Sequence, residues 1–139
     1  MGKKTIVFTN GVFDLFHYGH LRFLQRCAGL GSRLIVGINS DKSVKLLNKG
    51  ADRPIIPWHH RQAIVKNIRC VRATFAFDDP TPCELIKQLR PDIIVKGPGY
   101  SIENMSEAAI VQEYGGQVVI LDGPDISTSK IIERIRNGV

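Results

Sequence analysis

Short apolar runs rich in β-branched residues recur along the chain and predict buried strands of a parallel sheet. The first run contains Thr-Ile-Val-Phe-Thr and the second Leu-Ile-Val-Gly-Ile, and similar runs follow at regular intervals. The predicted strands are Lys4–Thr9, Arg33–Asn39, Ala73–Phe77, Pro91–Lys96 and Gln117–Leu121.

The segments between these strands have the apolar spacing of amphipathic helices. Leu21, Leu24 and Cys27, for example, recur at helical intervals after the first strand. The predicted helices are Gly19–Leu30, His59–Asn67, Pro82–Leu89, Met105–Tyr114 and Ser127–Arg136. Thr81 is expected to cap the helix at Pro82. The polar, basic stretch Ser40–Pro57, broken by glycine and proline, predicts a loop with room for one helical turn.

This alternation of strands and helices is typical of an α/β fold. It predicts a single doubly wound Rossmann-like domain over residues 1–139, with a parallel five-stranded sheet and helices on both faces. No internal repeat, low-complexity segment or linker divides the chain. In such sheets ligands bind where the strands end, at their carboxyl edge.

Composition is that of an ordinary soluble protein, with 43% hydrophobic and 23% charged residues in 139. The sequence shows no signal peptide and no apolar stretch long enough to cross a membrane. Cys27, Cys70 and Cys83 lack a CxxC spacing and indicate reduced thiols. We therefore expect a cytoplasmic protein with no membrane partner. The start at Met1 and the end after the last helix favour a stand-alone chain over one piece of a larger bifunctional enzyme.

The net charge of +6 would suit either nucleic acid or a polyanionic small molecule. The basic residues form no dense stripe, and aromatic residues make up only 7% of the chain. Binders of nucleic acid more often combine such a stripe with interleaved aromatic residues. We therefore expect no nucleic-acid partner.

Polar side chains cluster just after the predicted strands. His17 and His20 follow the first strand, Lys42 and Lys45 follow the second, and Ser127–Lys130 follows the last. Imidazoles, ammonium groups, hydroxyls and loop amides together favour a phosphate-rich ligand. Neither GxGxxG nor a P-loop is present. A metal pair at the two histidines lacks nearby Cys, Asp or Glu at ligand spacing, so no protein metal site is expected.

Two segments carry a resemblance to a known family. Residues Thr9 to His20, which read TNGVFDLFHYGH, resemble the signature of the HxGH nucleotidylyltransferases, and Ile126 to Ile131, ISTSKI, resemble their second, phosphate-binding signature. Within that family the chain is most similar to the branch that includes the adenylyltransferase domain of ADP-heptose synthase.

The chain departs from its relatives in three segments. The heptose branch usually has Lys-Gly-Gly-Asp-Tyr where this chain has Lys96-Gly97-Pro98-Gly99-Tyr100, so an acidic residue is missing. The second signature usually has Gly where Asp125 stands. Asp122 occupies the position where glycerol-3-phosphate cytidylyltransferases typically carry Arg, which argues against glycerol phosphate as the acceptor.

The resemblance implies transfer of a nucleoside monophosphate from a nucleoside triphosphate to a phosphorylated small molecule, with release of pyrophosphate. The favoured pair is ATP and a heptose or other sugar 1-phosphate, which gives an ADP-sugar. The alternative is a CTP-dependent cytidylyltransferase acting on glycerol 3-phosphate or another small phosphate or phosphonate. A non-catalytic nucleotide- or nucleic-acid-binding module is a further alternative. The resemblance also implies a homodimer, and Mg²⁺ is expected on the triphosphate.

The site residues expected on this basis fall into three groups. His17, His20 and Lys45 are the candidate catalytic residues, and Lys45 and Arg61 are expected to bind the substrate phosphate. Lys42 and Lys49 are weaker candidates, and Asp14 is expected to cap a turn or support the site. The expected nucleotide-binding residues are Thr9, Asn10, Gly11, Phe13, Gly19, Lys96, Ser127, Thr128 and Ser129.

Overall fold

A computed structural model describes residues 4–123 and 127–138 of the chain. Pro124, Asp125 and Ile126, which the sequence places in the last loop and the second signature, lie outside the described residues. The strands are β1 (Ile6–Gly11), β2 (Arg33–Asn39), β3 (Val71–Phe77), β4 (Ile93–Lys96) and β5 (Gln117–Ile120). The helices are α1 (Tyr18–Ala28), α2 (Asp41–Leu46), α3 (Trp58–Lys66), α4 (Cys83–Leu89), α5 (Ser106–Glu113) and α6 (Thr128–Arg136), with a 3-10 turn at Ile102–Asn104.

The five strands form one parallel sheet in the order β3-β2-β1-β4-β5. β1 lies at the centre, where Phe8 pairs with Ile35 of β2 on one side and with Ile94 of β4 on the other. The chain therefore starts in the middle of the sheet, builds outward to β3, and returns across β1 to build the other half. This arrangement confirms the predicted doubly wound α/β fold.

Two apolar cores cover the two faces of the sheet. On one face, Leu24 and Cys27 of α1 and Val65 of α3 pack against strand residues such as Val36. On the other face, Ile86 of α4 and Val111 of α5 pack with strand residues such as Phe8 and Ile94. Strands buried on both faces explain the continuous apolar runs in the sequence. Helices on both faces were predicted, and the packing confirms them.

Three of the differences from the sequence-based prediction have a clear structural reason. β1 extends to Gly11, because Asn10 and Gly11 continue the ladder opposite Gly37 and Ile38 of β2. Ser40 caps a helix of six residues, α2, where the prediction allowed one turn. Thr81 is not the cap of α4: the carbonyl of Pro82 accepts the first helical hydrogen bond from the N–H of Ile86, at 2.9 Å.

Within the parts of the chain that the structure describes, none of the helices is long and apolar enough to cross a membrane.

Candidate active site

A cavity of about 540 Å³ opens at the carboxyl edge of the sheet, where the sequence predicted a ligand. It lies where β1, β2 and β4 end, and the start of α6 closes one side. Ten of the expected site residues line it: Asn10, Gly11, Phe13, His17, Gly19, His20, Lys96, Ser127, Thr128 and Ser129. The two signatures lie near opposite ends of the sequence, yet residues of both face one another across this space.

The two histidines of the first signature form the cap of α1. The N–H of Gly19 donates to Nδ1 of His17 at 3.1 Å, and the N–H of His17 donates to Nδ1 of His20 at 3.2 Å. This is a capping box built from imidazoles, in which each side chain satisfies one free N–H at the start of the helix. The rings stack with their centroids 3.8 Å apart.

The capping bonds fix the protonation of both rings. An Nδ1 that accepts a hydrogen bond carries no proton, so each neutral ring has its proton on Nε2. Burial lowers the pKa of His17, and burial together with the neighbouring His17 lowers the pKa of His20 to about 4, against a smaller opposing effect of Asp14. Nε2 of His17 is buried and has no hydrogen-bond partner within the described residues. The pair therefore presents neutral N–H donors at neutral pH.

The start of α6 forms the facing wall of the cavity. Ser127 caps this helix by accepting a hydrogen bond from the N–H of Lys130 at 3.1 Å. The hydroxyl of Thr128 donates to the backbone oxygen of Asp14 at 2.7 Å, so the second signature is tied directly to the first. The start of a helix, where backbone amides have no partner within the helix, is a site that attracts phosphate.

Asp14 holds the loop between α2 and α3 against the site. Its carboxylate is buried and accepts hydrogen bonds from Nε of Arg53 at 3.0 Å and from the N–H groups of Ile55 and Ile56 at 2.8 and 2.9 Å. The expected role in support of the site therefore agrees with its contacts, although the loop that it caps lies far along the chain. Arg53 reaches the cavity wall through this pairing.

Lys96 lies at the end of β4 and is almost fully buried. Its Nζ donates to Oδ1 of Asn10 at 2.6 Å and to Oε2 of Glu107 at 2.5 Å. Burial alone would raise the pKa of Glu107, but the Lys96 ammonium and the Ser106 hydroxyl outweigh burial and lower it. The acidic residue missing at Gly99 thus does not leave Lys96 unpaired, because Glu107 of α5 supplies a carboxylate.

Three expected site residues lie outside the cavity lining, and the first two are Thr9 and Lys45. Thr9 is 1% exposed, and its hydroxyl donates to the backbone oxygen of Val95 at 2.8 Å, so it joins β1 to β4. Lys45 is exposed, and its Nζ donates to the backbone oxygen of Ala51 at 2.9 Å. The structure therefore places both away from the cavity, with Thr9 supporting the sheet and Lys45 contacting the loop after α2, while the catalytic role of Lys45 stays a prediction.

Arg61 is the third of these residues, and the structure corrects its assignment. The residue is 1% exposed, because its side chain crosses the interior beneath the site. Its guanidinium donates to the backbone oxygens of Val12, Asn39 and Ile56 and to the carboxylate of Asp41, at 2.7–2.8 Å. With these donors engaged, Arg61 ties α3 to the segment after β1, to β2 and to α2 rather than presenting its fork to a phosphate.

Lys49 and Glu107 are functional candidates that sequence reasoning undervalued or missed. Lys49 lines the cavity, whereas the preferred Lys45 does not. Among the lining cations of the described residues, Lys96 and Arg53 have carboxylate partners and Lys49 has none. No local signal separates Lys49 from its neighbours in a basic loop. Glu107 follows Lys96 in the sequence without any motif that links them, and only the packing of α5 brings the two together.

No group of three or more His, Cys, Asp or Glu side chains is placed to hold a metal ion in residues 4–123 and 127–138.

Comparison with known proteins agrees with the fold and with the two signatures. The sequence profile described as Cytidylyltransferase-like matches residues 8–134. The chain therefore belongs to the cytidylyltransferase-like family.

Curated relatives match nearly the whole chain. A protein named D-beta-D-heptose 1-phosphate adenylyltransferase, from Bordetella bronchiseptica, is 43% identical over 136 residues, which are 97% of this chain and 84% of that protein. A protein named Bifunctional protein HldE, from Syntrophotalea carbinolica, is 47% identical over 133 residues, which are 95% of this chain. The chain spans only 27% of the length of that bifunctional relative.

A solved structure shares the architecture at lower sequence identity. The lipopolysaccharide core biosynthesis protein from Thermoplasma volcanium superposes with a TM-score of 0.71 at 23% identity, covering 90% of this chain and all of that one. This similarity shows that the fold is the same.

Proposed function

We propose that this chain is a nucleotidylyltransferase that transfers AMP from ATP to a heptose 1-phosphate, or a closely similar sugar 1-phosphate, and releases pyrophosphate. The observation that carries the proposal is the pair of neutral imidazoles, held by their own capping bonds, facing the start of α6 across one cavity. Together they supply donors at both ends of a triphosphate.

The reaction needs no covalent intermediate with the protein. An oxygen of the acceptor phosphate attacks the α-phosphorus, the bond to the bridging oxygen breaks, and its electron pair leaves with pyrophosphate. Most of the barrier comes from bringing two anions together and from charge that develops on phosphate oxygens. Nε2–H groups of His17 and His20 donate to these oxygens without losing their protons. Hydroxyls and amides at Ser127–Ser129 bind the β- and γ-phosphates.

Mg²⁺ is proposed to enter with the triphosphate and to neutralise part of its charge. Asp14 is the acidic side chain among the described lining residues, and its oxygens already accept from Arg53, Ile55 and Ile56. The ion is therefore expected to be held by phosphate oxygens and water, which suits its preference for few protein ligands.

The choice of ATP and a heptose phosphate is supported by the relatives. The Bordetella protein whose name specifies a heptose 1-phosphate adenylyltransferase is matched over most of both chains. Pyrophosphate release should be measured for ATP and CTP, each with D-glycero-β-D-manno-heptose 1-phosphate and with glycerol 3-phosphate. We expect turnover with ATP and the heptose only. Turnover confined to CTP and glycerol 3-phosphate would contradict the proposal.

His17→Asn tests the imidazole separately from the helix cap. Asparagine is a favoured capping residue, so the variant keeps an acceptor for the start of α1 but loses the Nε2–H donor. Loss of one donor to a transition-state oxygen should lower kcat about a hundredfold. We expect an unchanged melting temperature together with this loss of turnover. Wild-type turnover in a folded His17→Asn variant would exclude His17 from the chemistry.

The active form is further proposed to be a homodimer. β3 lies at the edge of the sheet, and Phe75 on that strand is 40% exposed, which leaves an edge and an apolar side chain available to a second copy. Sedimentation equilibrium distinguishes this dimer from a monomer.

A further inference from the structure

We propose that Glu107, which does not itself line the cavity, is a positioning residue that orients the side-chain amide of Asn10 toward the nucleotide. The inference rests on the proposed function, because it assumes that a triphosphate occupies the cavity. The connection runs from Glu107 of α5 through Lys96 of β4 to Asn10 of β1.

The first step is the position of the Lys96 ammonium. The side chains of Lys96 and Glu107 are 5% and 6% exposed, and Oε2 of Glu107 lies 2.5 Å from Nζ. The Tyr100 ring covers the same ammonium, with its centroid 5.2 Å from Nζ. A buried ammonium needs a charged partner, so without the carboxylate Lys96 would be driven to turn away or lose its proton. Glu107 therefore holds Lys96 in place.

The second step is the orientation of the Asn10 amide. An ammonium group can only donate, so the Asn10 atom 2.6 Å from Nζ must be the oxygen. The NH₂ group then points to the other side. Within the described residues this NH₂ has no hydrogen-bond partner, and Asn10 lines the cavity beside His17 and His20. The amide thus offers its donors, not its oxygen, to the ligand.

The third step is electrostatic. An amide oxygen turned toward a phosphate would repel it, whereas the NH₂ group attracts it. The direction of the amide therefore has a large effect on how tightly the site binds an anion. Lys96 alone could fix that direction, but only while its own charge and position are maintained. Glu107 does this from outside the cavity, which explains a buried acidic residue so near a site for polyanions.

The test is a double-mutant cycle between Glu107→Gln and Asn10→Ala, measured by pyrophosphate release from ATP and by ATP·Mg²⁺ affinity in calorimetry. In the wild-type background, Glu107→Gln should lower kcat roughly tenfold or more, because a misoriented donor loses much of its value. In the Asn10→Ala background the same change should have no further effect. An equal loss in both backgrounds, or no loss in either, would overturn the proposal.

Two controls keep the cycle interpretable. Glu103→Gln makes the same chemical change at an exposed position and should leave kcat and ATP affinity unchanged. If Glu107→Gln does not fold, Lys96→Met with Glu107→Leu removes both buried charges together and avoids an unpaired one. This double variant should have a melting temperature near that of the wild type. Its kcat should still fall by the factor expected for Glu107→Gln. Wild-type turnover in the folded pair would overturn the proposal.

The affinity for ATP·Mg²⁺ also distinguishes a failure of this inference from a failure of the proposed function. If the wild-type chain binds ATP·Mg²⁺ but transfers nothing to a sugar 1-phosphate, the proposed function fails. The double-mutant cycle can then still be measured through the effect of each substitution on ATP affinity. Non-additivity between Glu107 and Asn10 in that measurement would support the inference, and additivity would overturn it.

Discussion

The protonation of His20 links the chemistry of the site to the stability of the fold. Burial and the neighbouring His17 lower the pKa of His20 from 6.5 to about 4 in the folded chain. The unfolded chain binds a proton near pH 6.5, so between these values the unfolded state holds more protons than the folded state. Stability therefore falls as the pH decreases through this window.

We predict that the free energy of unfolding of the wild type declines by up to about 3 kcal/mol between pH 6.5 and about pH 4 on account of His20 alone. Urea unfolding at several pH values measures the decline. Other groups also titrate in this range, so the comparison is with His20→Gln, which keeps a polar side chain but cannot be protonated. Its pH dependence should be shallower by that amount. If the free energy of unfolding depends on pH equally in the two proteins, protonation of His20 is not the cause of the decline.

At the scale of elements, α2 and the loop after it place Lys49, and not Lys45, at the cavity. Lys45 lies in the last turn of α2 and bonds to Ala51, whereas Lys49 lies beyond the helix and reaches the cavity. We predict that Lys49→Ala lowers kcat/KM about tenfold, because it removes a charge-assisted contact to phosphate. Lys45→Ala should change kcat/KM by less than about twofold, since exposed contacts contribute little. Steady-state kinetics with ATP and the sugar phosphate varied in turn measures both.

The matched pair of lysines makes this prediction discriminating. Both are cations in the same basic stretch, so a general effect of net charge would appear in both variants. A larger loss in Lys45→Ala than in Lys49→Ala would favour the sequence-based assignment and would mean that the loop rearranges when substrates bind.

The same elements show what sequence could and could not predict. All five strands were predicted, and the β-branched runs of β1, β2 and β4 were the clearest signal because these strands are largely buried on both faces. His17 and His20 were identifiable because their spacing places both rings at one helix start. Thr9 was misassigned because it lies one residue before Asn10 in β1, where side chains alternate between the two faces of a strand.

Arg61 was misassigned for a different reason. Its acceptors at Val12, Asn39 and Asp41 lie 20 to 49 residues earlier in the chain, so only the folded arrangement shows that its donors are already used. An arginine after a proline-rich loop looks exposed in sequence. A buried arginine is stable only when several elements supply oxygens to it, and that information is not local.

At the scale of the whole molecule, the cavity joins the first and last elements of the chain. α1 and the sheet have a buried core, but no side chain of α6 is fully buried, and Ile135 is 71% exposed. Its contacts with the rest of the protein include the bond from Thr128 to Asp14 and the exposed pair of Arg136 and Asp52, at 2.7 Å each. A helix attached in this way should open more readily than the core.

We therefore predict that the triphosphate itself fastens α6 to the domain. Amides in the first turn of α6 should exchange with deuterium more slowly when ATP·Mg²⁺ is bound, by up to about a hundredfold at a ligand concentration roughly one hundred times Kd. AMP has an α-phosphate but lacks the β- and γ-phosphates. It should protect the start of α1 near His17 and Gly19 while leaving α6 unprotected. Equal protection of α6 by AMP and ATP at matched saturation would mean that the β- and γ-phosphates bind elsewhere, and the assignment of Ser127–Ser129 would then be wrong.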